Sequence, residues 1–173
     1  LDGRFPTVAS PNPENAPALD MAIAQADAEQ ADLVIATDPD SDRMGIAVRD
    51  TATGKMQLLT GNQIGSLLAW YRCMSAIELG IITPENISRS VMVKTFVTSP
   101  LQDAIASSFG IATVNVLTGF KYIAEKIANY EVTGAHTYEF GFEESYGYLS
   151  GTYARDKDAV VASMLICEMA AYY

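Results

Sequence analysis

The stretch LVIATDPDSDR occupies residues 33–43 and decides the fold of this chain. Its first part, Leu33–Ala36, is a short continuous apolar run, which predicts a β-strand buried on both faces. Asp38, Asp40 and Asp42 follow in an acidic loop. Strands of this kind are typical of α/β domains, in which helices cover both sides of a sheet. We therefore expect an α/β domain with an acidic loop directly after one of its buried strands.

The segments around this loop predict the later part of one domain. Residues 1–17 are rich in Pro and Asn and predict a loop, whereas the Ala-rich run 16–30 predicts a helix. Apolar runs at 45–48 and 56–59 predict two more strands. We expect residues 1–59 to be the C-terminal part of an α/β domain whose beginning lies outside this sequence.

Residues 60–173 predict a second unit of alternating helices and strands. Its first helix has a capping box, with Thr60 as the N-cap residue and Gln63 reaching back to it. Another helix is predicted to begin at Ser99–Pro100, with Gln102 completing a second box. Further strands are expected at 91–93, 111–117 and 137–142, further helices at 119–128 and from about 158, and a Gly-rich loop from 143 to about 156.

This alternation predicts the α/β class, with mixed, mostly parallel sheets and helices on both faces in a three-layer αβα arrangement. One partial domain, 1–59, would precede one complete domain, 60–173. The last predicted helix reaches Tyr173 without a cap or a breaker, so we expect the chain to be truncated there as well.

Composition restricts the class of function. Apolar residues make up 49% of the chain, which argues against global disorder, and the apolar runs are too short for a membrane span. With 11 Lys and Arg against 21 Asp and Glu, the net charge is −10, so we expect no nucleic-acid partner. An anionic ligand would need a bound metal and clustered cations. Cys73 and Cys167 are predicted to be buried free thiols of a cytoplasmic protein.

The acidic loop carries a carboxylate at every second position, at Asp38, Asp40 and Asp42. Like charges this close repel each other and persist where a cation neutralises them. Alternate side chains of an extended segment point to one side, so the three can converge. Ligation by carboxylates alone suits Mg²⁺, Mn²⁺ or Ca²⁺. Arg43 is placed to meet an anion that the metal holds.

Other interpretations of this loop differ in how well they fit. An EF-hand is excluded because its sixth and twelfth positions would be Arg43 and Arg49 instead of Gly and Glu. An aspartyl-phosphatase loop is disfavoured because Asp42 stands where Thr or Val is expected. The metal-bound acid pair of a sugar-nucleotide transferase and a plain exposed acidic turn remain as alternatives.

A second loop follows the predicted strand 137–142, where residues 141–147 have the sequence GFEESYG. Paired acids and a hydroxyl suit the recognition of sugar hydroxyls, because a carboxylate can accept from two neighbouring O–H groups at once. The alternative is a solvated acidic loop tip.

Cationic side chains occur near two predicted helix starts. Lys157 is predicted to contact a substrate phosphate or to transfer a proton; the alternative is an exposed charged cap in which Asp156 or Asp158 is the N-cap residue. Helix N-termini attract anions, so Thr118 is a candidate ligand contact. Lys121 lies at the unfavourable end of its helix for a cation, and it either faces the ligand or reaches solvent.

These motifs together resemble the α-D-phosphohexomutase family of phosphoglucomutases and phosphomannomutases. Residues 37–43 resemble the family's magnesium loop, 141–147 its sugar-recognition loop, and 118–121 and 155–158 two further patterns, all in the family's order. Such an enzyme has four domains. The resemblance implies that this chain is an internal fragment, with the later part of the second domain and the third, whose partners are the missing domains 1 and 4.

The resemblance also implies site roles. Asp38, Asp40 and Asp42 would bind Mg²⁺ together with a phosphoserine that is missing here. Glu143 and Ser145 would hold sugar hydroxyls. The residues that would line the site or transfer protons are Arg43, Thr118, Lys157 and, as second choice for proton transfer, Lys121.

The implied reaction interconverts hexose 1-phosphate and hexose 6-phosphate through a phosphoserine enzyme and a hexose 1,6-bisphosphate. The isolated fragment is expected to be inactive. A stand-alone sugar-phosphate binding module and a metal-dependent sugar-nucleotide transferase remain the alternatives.

Two further residues are expected to be structural. Residues 8–13, VASPNP, resemble the family's nucleophile loop, but Pro11 replaces its His and supplies neither proton nor donor. Ser10 is therefore interpreted as a loop residue. His136, the only histidine, is predicted to be a packed or exposed strand residue and not a member of a triad.

Overall fold

The apolar run before the acidic loop forms the first strand of an antiparallel sheet. The structure is a computed structural model that describes residues 2–173. Three strands pair in the order β1-β2-β3, and Thr37 lies opposite Met44 across the acidic loop. A loop this short permits only antiparallel pairing, because parallel strands need a crossover of a dozen or more residues. The strands are β1 (Leu33–Thr37), β2 (Met44–Arg49) and β3 (Met56–Leu58).

One helix covers this first sheet. Helix α1 (Ala16–Glu29) packs Leu19 and Ala26 against Val34 and Ala47, and all four side chains are buried. The predicted helix 16–30 and the predicted strands are confirmed.

A second sheet has the order β5-β4-β6-β7. Strand β4 pairs in parallel with both β5 and β6, while β6 and β7 are antiparallel. Parallel pairing, expected for most strands, is therefore confined to this sheet. The prediction of a Gly-rich loop after residue 142 is wrong in part, because the middle of this segment forms β7. The strands are β4 (Ser90–Thr95), β5 (Ala112–Val116), β6 (Thr137–Glu143) and β7 (Gly147–Ser150).

Helices cover both faces of the second sheet, which confirms the three-layer α/β arrangement. Successive side chains of β4 point to opposite faces. Val91 and Val93 therefore pack against one helix, through Ile123, whereas Met92 belongs to a cluster on the other side with Leu68 and Ile166. The helices are α2 (Gly61–Glu78), α3 (Leu101–Ser108), α4 (Phe120–Thr133) and α5 (Ala159–Tyr172), and Ile87–Arg89 forms a short 3₁₀ turn.

The helix starts agree with the sequence at two positions and differ at a third. The Thr60–Gln63 capping box of α2 is present, and Asp158 caps α5. The second predicted box, between Ser99 and Gln102, is wrong. The amide of Ser99, which the box would pair with Oε1 of Gln102, donates to Oδ1 of Asn62 at 2.9 Å. The buried Gln102 donates from Nε2 to the carbonyl of Asn62.

Three more observations bear on the sequence predictions. Met44 and Ile46 of the first sheet share one apolar cluster with Phe142 of the second, so the two units have a common core. Cys73 is buried as expected, but Cys167 lies exposed on α5, which corrects its predicted burial. Within residues 2–173, no helix combines the length and apolar character needed to cross a membrane.

Candidate functional site

The acidic loop is shaped by the side chain of its first aspartate. Oδ1 of Asp38 accepts hydrogen bonds from the main-chain N–H groups of Asp42 and Arg43, at 3.1 and 3.0 Å. The amide of Ser41 donates to the carbonyl of Asp38 at 3.0 Å, and Ser41 has a positive φ of 58°. The chain therefore turns back on itself within the loop and remains ordered through Asp38.

This turn brings Asp38, Asp40 and Asp42 together. One oxygen from each carboxylate lies within 4.8 Å of the others, and Asp40 is the most exposed of the three. The donor set consists of carboxylate oxygens alone, which is the chemistry that hard cations such as Mg²⁺ prefer. The three residues thus fit a divalent cation, although a turn and not the predicted extended segment brings them together.

The electrostatics of the loop set two of these carboxylates apart. Burial, with the neighbouring carboxylates of Asp42 and Asp40, raises the pKa of Asp38. Burial acts in the same sense on Asp42, but the ammonium of Lys157 and the guanidinium of Arg43 outweigh it, so the pKa of Asp42 is lowered. The nearby cations therefore stabilise the anionic form of Asp42.

Main-chain hydrogen bonds hold the acidic loop against the second unit. The amide of Met44 donates to the carbonyl of Tyr146 at 3.0 Å, and Arg43 forms an antiparallel bridge with Gly147. On the other side, the amide of Ala159 donates to the carbonyl of Ser41 at 3.0 Å. The acidic loop, the 141–147 loop and the start of α5 therefore meet at one place.

Lys157 lies at this meeting point. Its Nζ is 2.9 Å from Oδ2 of Asp42 and 2.9 Å from Oδ1 of Asp156, and it lies 5.6 Å from the centre of the Phe120 ring. Burial lowers the pKa of Lys157, but its two carboxylate partners outweigh burial and raise it. Lys157 is therefore a cation in contact with the acidic loop.

Arg43 supplies the second cation. Its guanidinium lies 3.3 Å from the carboxylate of Glu14. The same group lies 4.0 Å from Asp38 and 3.9 Å from Asp42, at the outer limit of an ion pair. Glu14 was not among the predicted residues, and its neighbours in the Pro-rich segment carried no signal for this contact.

Glu143 ends β6 facing the start of α4. Its carboxylate is buried, and Oε1 accepts from the main-chain N–H of Gly119 at 3.1 Å. Burial raises the pKa of Glu143, against the opposing effects of Lys157 and of the Gly119 hydrogen bond. Thr118 is exposed and directly precedes Gly119, whose amide donates to this carboxylate.

Glu144 and Ser145, in the same 141–147 loop, differ in their hydrogen bonding. Glu144, the second of the paired acids expected to bind sugar hydroxyls, instead lies within hydrogen-bond distance of the hydroxyls of Thr95 and Thr98, at 3.0 and 3.4 Å. Ser145 is half-buried, and its hydroxyl has no hydrogen-bond partner among residues 2–173. Ser145 thus keeps its hydrogen-bonding capacity for a ligand.

Three other residues lie apart from this arrangement. Lys121 is exposed with its Nζ 5.0 Å from the centre of the Tyr122 ring, and over the described range no ion pair or hydrogen bond joins it to the acidic loop. Ser10 is exposed. His136 lies just before β6, half-buried, with its ring edge-on to Tyr130.

Family models match nearly the whole chain. Residues 60–173 match "Phosphoglucomutase/phosphomannomutase, alpha/beta/alpha domain III", and residues 1–54 match the corresponding domain II. Among curated proteins, the phosphoglucomutases of Staphylococcus epidermidis and Staphylococcus aureus are each 41% identical over 98% of this chain. The chain spans only 29% of the length of these relatives.

A solved structure shows the same fold. The phosphoglucomutase/phosphomannomutase family protein of Burkholderia thailandensis superimposes with a TM-score of 0.74 over 100% of this chain and 33% of its own, at 18% identity. The two consecutive domain matches, in the order in which the acidic loop and the 141–147 loop occur, establish the assignment. The chain belongs to the phosphoglucomutase/phosphomannomutase family, as a piece that corresponds to its domains II and III.

Proposed function

We propose that this chain is the metal-binding and sugar-binding part of a cytoplasmic hexose-phosphate mutase, which interconverts hexose 1-phosphate and hexose 6-phosphate. The observation that carries the proposal is the 2.9 Å contact between Lys157 and Asp42, because it occurs where the acidic loop also contacts the 141–147 loop through Arg43 and Gly147. Family membership favours this activity over that of a sugar-nucleotide transferase.

The metal of the proposed reaction is Mg²⁺, held by Asp38, Asp40 and Asp42. The clustering of their oxygens and the absence of nitrogen or sulfur from the cluster support this choice over zinc. When bound, Mg²⁺ would neutralise charge on a phosphoryl group during transfer.

The chain's own side chains would bind and orient the sugar phosphate. Arg43 and Lys157 supply positive charge for a phosphate in a chain whose net charge is −10. Glu143 accepts from sugar hydroxyls while the Gly119 amide fixes one of its oxygens. Ser145 and Thr118 add hydroxyls at the same edge of the sheet.

Proton transfer is assigned first to Lys157. Its Nζ lies among the carboxylates at the centre of the site, whereas Lys121 lies over Tyr122 and is the second choice. A lysine that exchanges a proton with a substrate hydroxyl must be within hydrogen-bond reach of it, and Lys157 meets this condition for a ligand seated between the two loops.

The phosphoserine and the hexose 1,6-bisphosphate of the proposed mechanism involve the remainder of the longer relatives, their domains I and IV. Pro11 follows Ser10 here, so we do not assign the nucleophile to this residue. We accordingly expect the chain by itself to bind hexose phosphates without interconverting them.

The test is a titration of the ¹⁵N-labelled chain with glucose 1-phosphate and mannose 1-phosphate in Mg²⁺. We expect shifts of the amides of 119, 143–147 and 157, weakened at least about tenfold in Glu143→Ala. Glu125→Ala, on the exposed side of α4, is the matched control and should bind as the parent does. Equal binding by the two variants, or binding of nucleoside diphosphates in preference to hexose phosphates, would contradict the proposal.

A further inference from the structure

The carboxylate of Glu144 points away from the acidic loop, into the protein. Oε2 accepts from Oγ1 of Thr95 at 3.0 Å, and the hydroxyls of Thr95 and Thr98 are themselves 2.6 Å apart. Thr95 is fully buried and Thr98 is 3% exposed. Because each hydroxyl carries one proton, one threonine donates to Oε2 and accepts from the other, and these buried hydrogen bonds gain strength from the low local dielectric.

The two threonines are themselves fixed. Thr95 ends β4, and Lys94 before it is 2% exposed. Nζ of Lys94 donates to the carbonyl of Thr98 at 3.1 Å and pairs with Oδ2 of Asp103 at 3.1 Å. A buried cation thus orders the turn that carries the hydroxyls, so the partners of Glu144 are rigid.

The main chain of Glu144 is also confined. Its carbonyl lies against Gly61, the first residue of α2, so closely that a Cβ at position 61 would overlap it. Two residues further on, Tyr146 has a positive φ of 65° and donates from its hydroxyl to the carbonyl of Leu59 at 3.3 Å. The turn after β6 is therefore held in place at Glu144 and at Tyr146.

Glu144 makes no ion pair within residues 2–173, although it is partly buried. A partly buried carboxylate held by neutral hydroxyls is costly compared with an exposed one, and its bonded oxygen is directed at the buried hydroxyl of Thr95. Its neighbours in sequence, Glu143 and Ser145, are the residues with groups available to a sugar.

We propose that Glu144 is a positioning residue, which fixes the backbone between Glu143 and Ser145 so that both side chains meet the sugar in one geometry. The proposal rests on the proposed function for the identity of the ligand. Its structural half, a turn ordered by the Glu144–Thr95–Thr98 hydrogen bonds, stands independently of that function.

The test compares Glu144→Ala with Glu144→Gln. The amide oxygen of Gln can accept from the same hydroxyls, whereas Ala leaves them without an acceptor. In the Glu144→Ala variant we expect hydrogen exchange of the 144–147 amides to become about tenfold faster and hexose-phosphate affinity to fall about tenfold. In the Glu144→Gln variant the exchange rates and the affinity should both stay within about twofold of those of the parent chain. Thermal unfolding of each variant identifies any global loss of structure.

Each outcome decides the matter. Equal damage by Gln and Ala would show that the charge itself acts on the ligand, and an unchanged turn in Ala would show that the hydrogen bonds order nothing; either overturns the proposal. A loosened turn with unchanged affinity overturns it as well. If the parent chain binds no hexose phosphate, the proposed function fails, and the exchange rates alone still support or refute the ordering by Glu144.

Discussion

The stem of Lys157 crosses directly over Gly147. A Cβ at position 147 would overlap Cδ and Cγ of Lys157, and Nζ at the end of that stem lies 2.9 Å from Oδ2 of Asp42. The bare main chain of β7 thus provides the path along which a side chain from the start of α5 reaches the acidic loop.

Gly147→Ala is therefore expected to displace Lys157 from Asp42. Gly147 does not have a positive φ, so the backbone itself tolerates Ala. We expect a loss of about 1–3 kcal/mol in the free energy of unfolding, from the overlap with the stem and the lost ion pair. In a Lys157→Ala background the same substitution should cost close to nothing. Urea unfolding of the four proteins measures this coupling, and an equal loss in both backgrounds would contradict the packing described here.

Asp40→Asn is expected to weaken metal binding without disturbing the loop. Asp40 is exposed, and its side chain makes no hydrogen bond in the described part of the chain, whereas Asp38 also accepts two main-chain hydrogen bonds. We expect Mg²⁺ affinity to fall at least about tenfold by calorimetry, with an unchanged unfolding midpoint.

The matched control for that experiment is Asp20→Asn, at an exposed position of α1 that lies outside the cluster. It makes the same change in net charge and should leave Mg²⁺ affinity unaltered. Equal affinities for the two variants would remove Asp40 from the proposed ligand set.

Glu143→Gln is expected to stabilise the protein increasingly as the pH rises. Burial raises the pKa of Glu143 above its usual 4.5, so the folded state binds this proton more tightly than the unfolded state does. Stability from this group is therefore lost as pH rises from about 4.5 through the raised pKa. Gln keeps an acceptor for the Gly119 amide and carries no charge.

The measurement is urea unfolding at about pH 5 and about pH 8, where the gain from Glu143→Gln should be larger at the higher pH. Glu125→Gln, at a solvent-exposed site on α4, should show the same effect at both. A gain that shrinks as the pH rises would mean that burial does not dominate at Glu143.

Two glycines of α2 predict opposite responses to Ala. A methyl group on Gly61 would overlap the carbonyl of Glu144, whereas one on Gly65 would have its nearest neighbour, Nε2 of Gln102, at an ordinary 3.4 Å. We expect Gly61→Ala to cost about 1–3 kcal/mol and Gly65→Ala to gain up to about 1 kcal/mol from helix propensity. Thermal unfolding tests both, and the opposite order would contradict the close contact between α2 and the turn.

Much of the fold follows from local chemistry. The apolar run before Asp38 predicted a strand, although only Val34 within it is buried, and the Thr60–Gln63 box predicted a helix start. Both signals depend on residues near in sequence. Ser99 and Gln102 have the same spacing but form no box, because the Ser99 amide from which Gln102 would accept donates to Oδ1 of Asn62. Local spacing predicts a cap only where tertiary contacts do not compete.

In the candidate site, too, local features were predictable from the sequence and long-range contacts were not. The closeness of Asp38, Asp40 and Asp42 was predictable from their spacing in sequence, although a turn at Ser41 and not an extended segment brings them together. The contact of Glu144 with Thr95 was not, because 49 residues separate them and only the pairing of β4 with β6 brings them together.

The sequence by itself determined the family, the α/β class, the acidic loop and the 141–147 loop, because each rests on residue types at short, fixed spacing. Only the tertiary structure decided that β7 exists, that Lys157 passes over Gly147 to Asp42, and that Glu144 faces inward. These depend on which backbones approach closely enough to exclude a side chain, and that distance is set by the packing of α2, α5 and two sheets around one core.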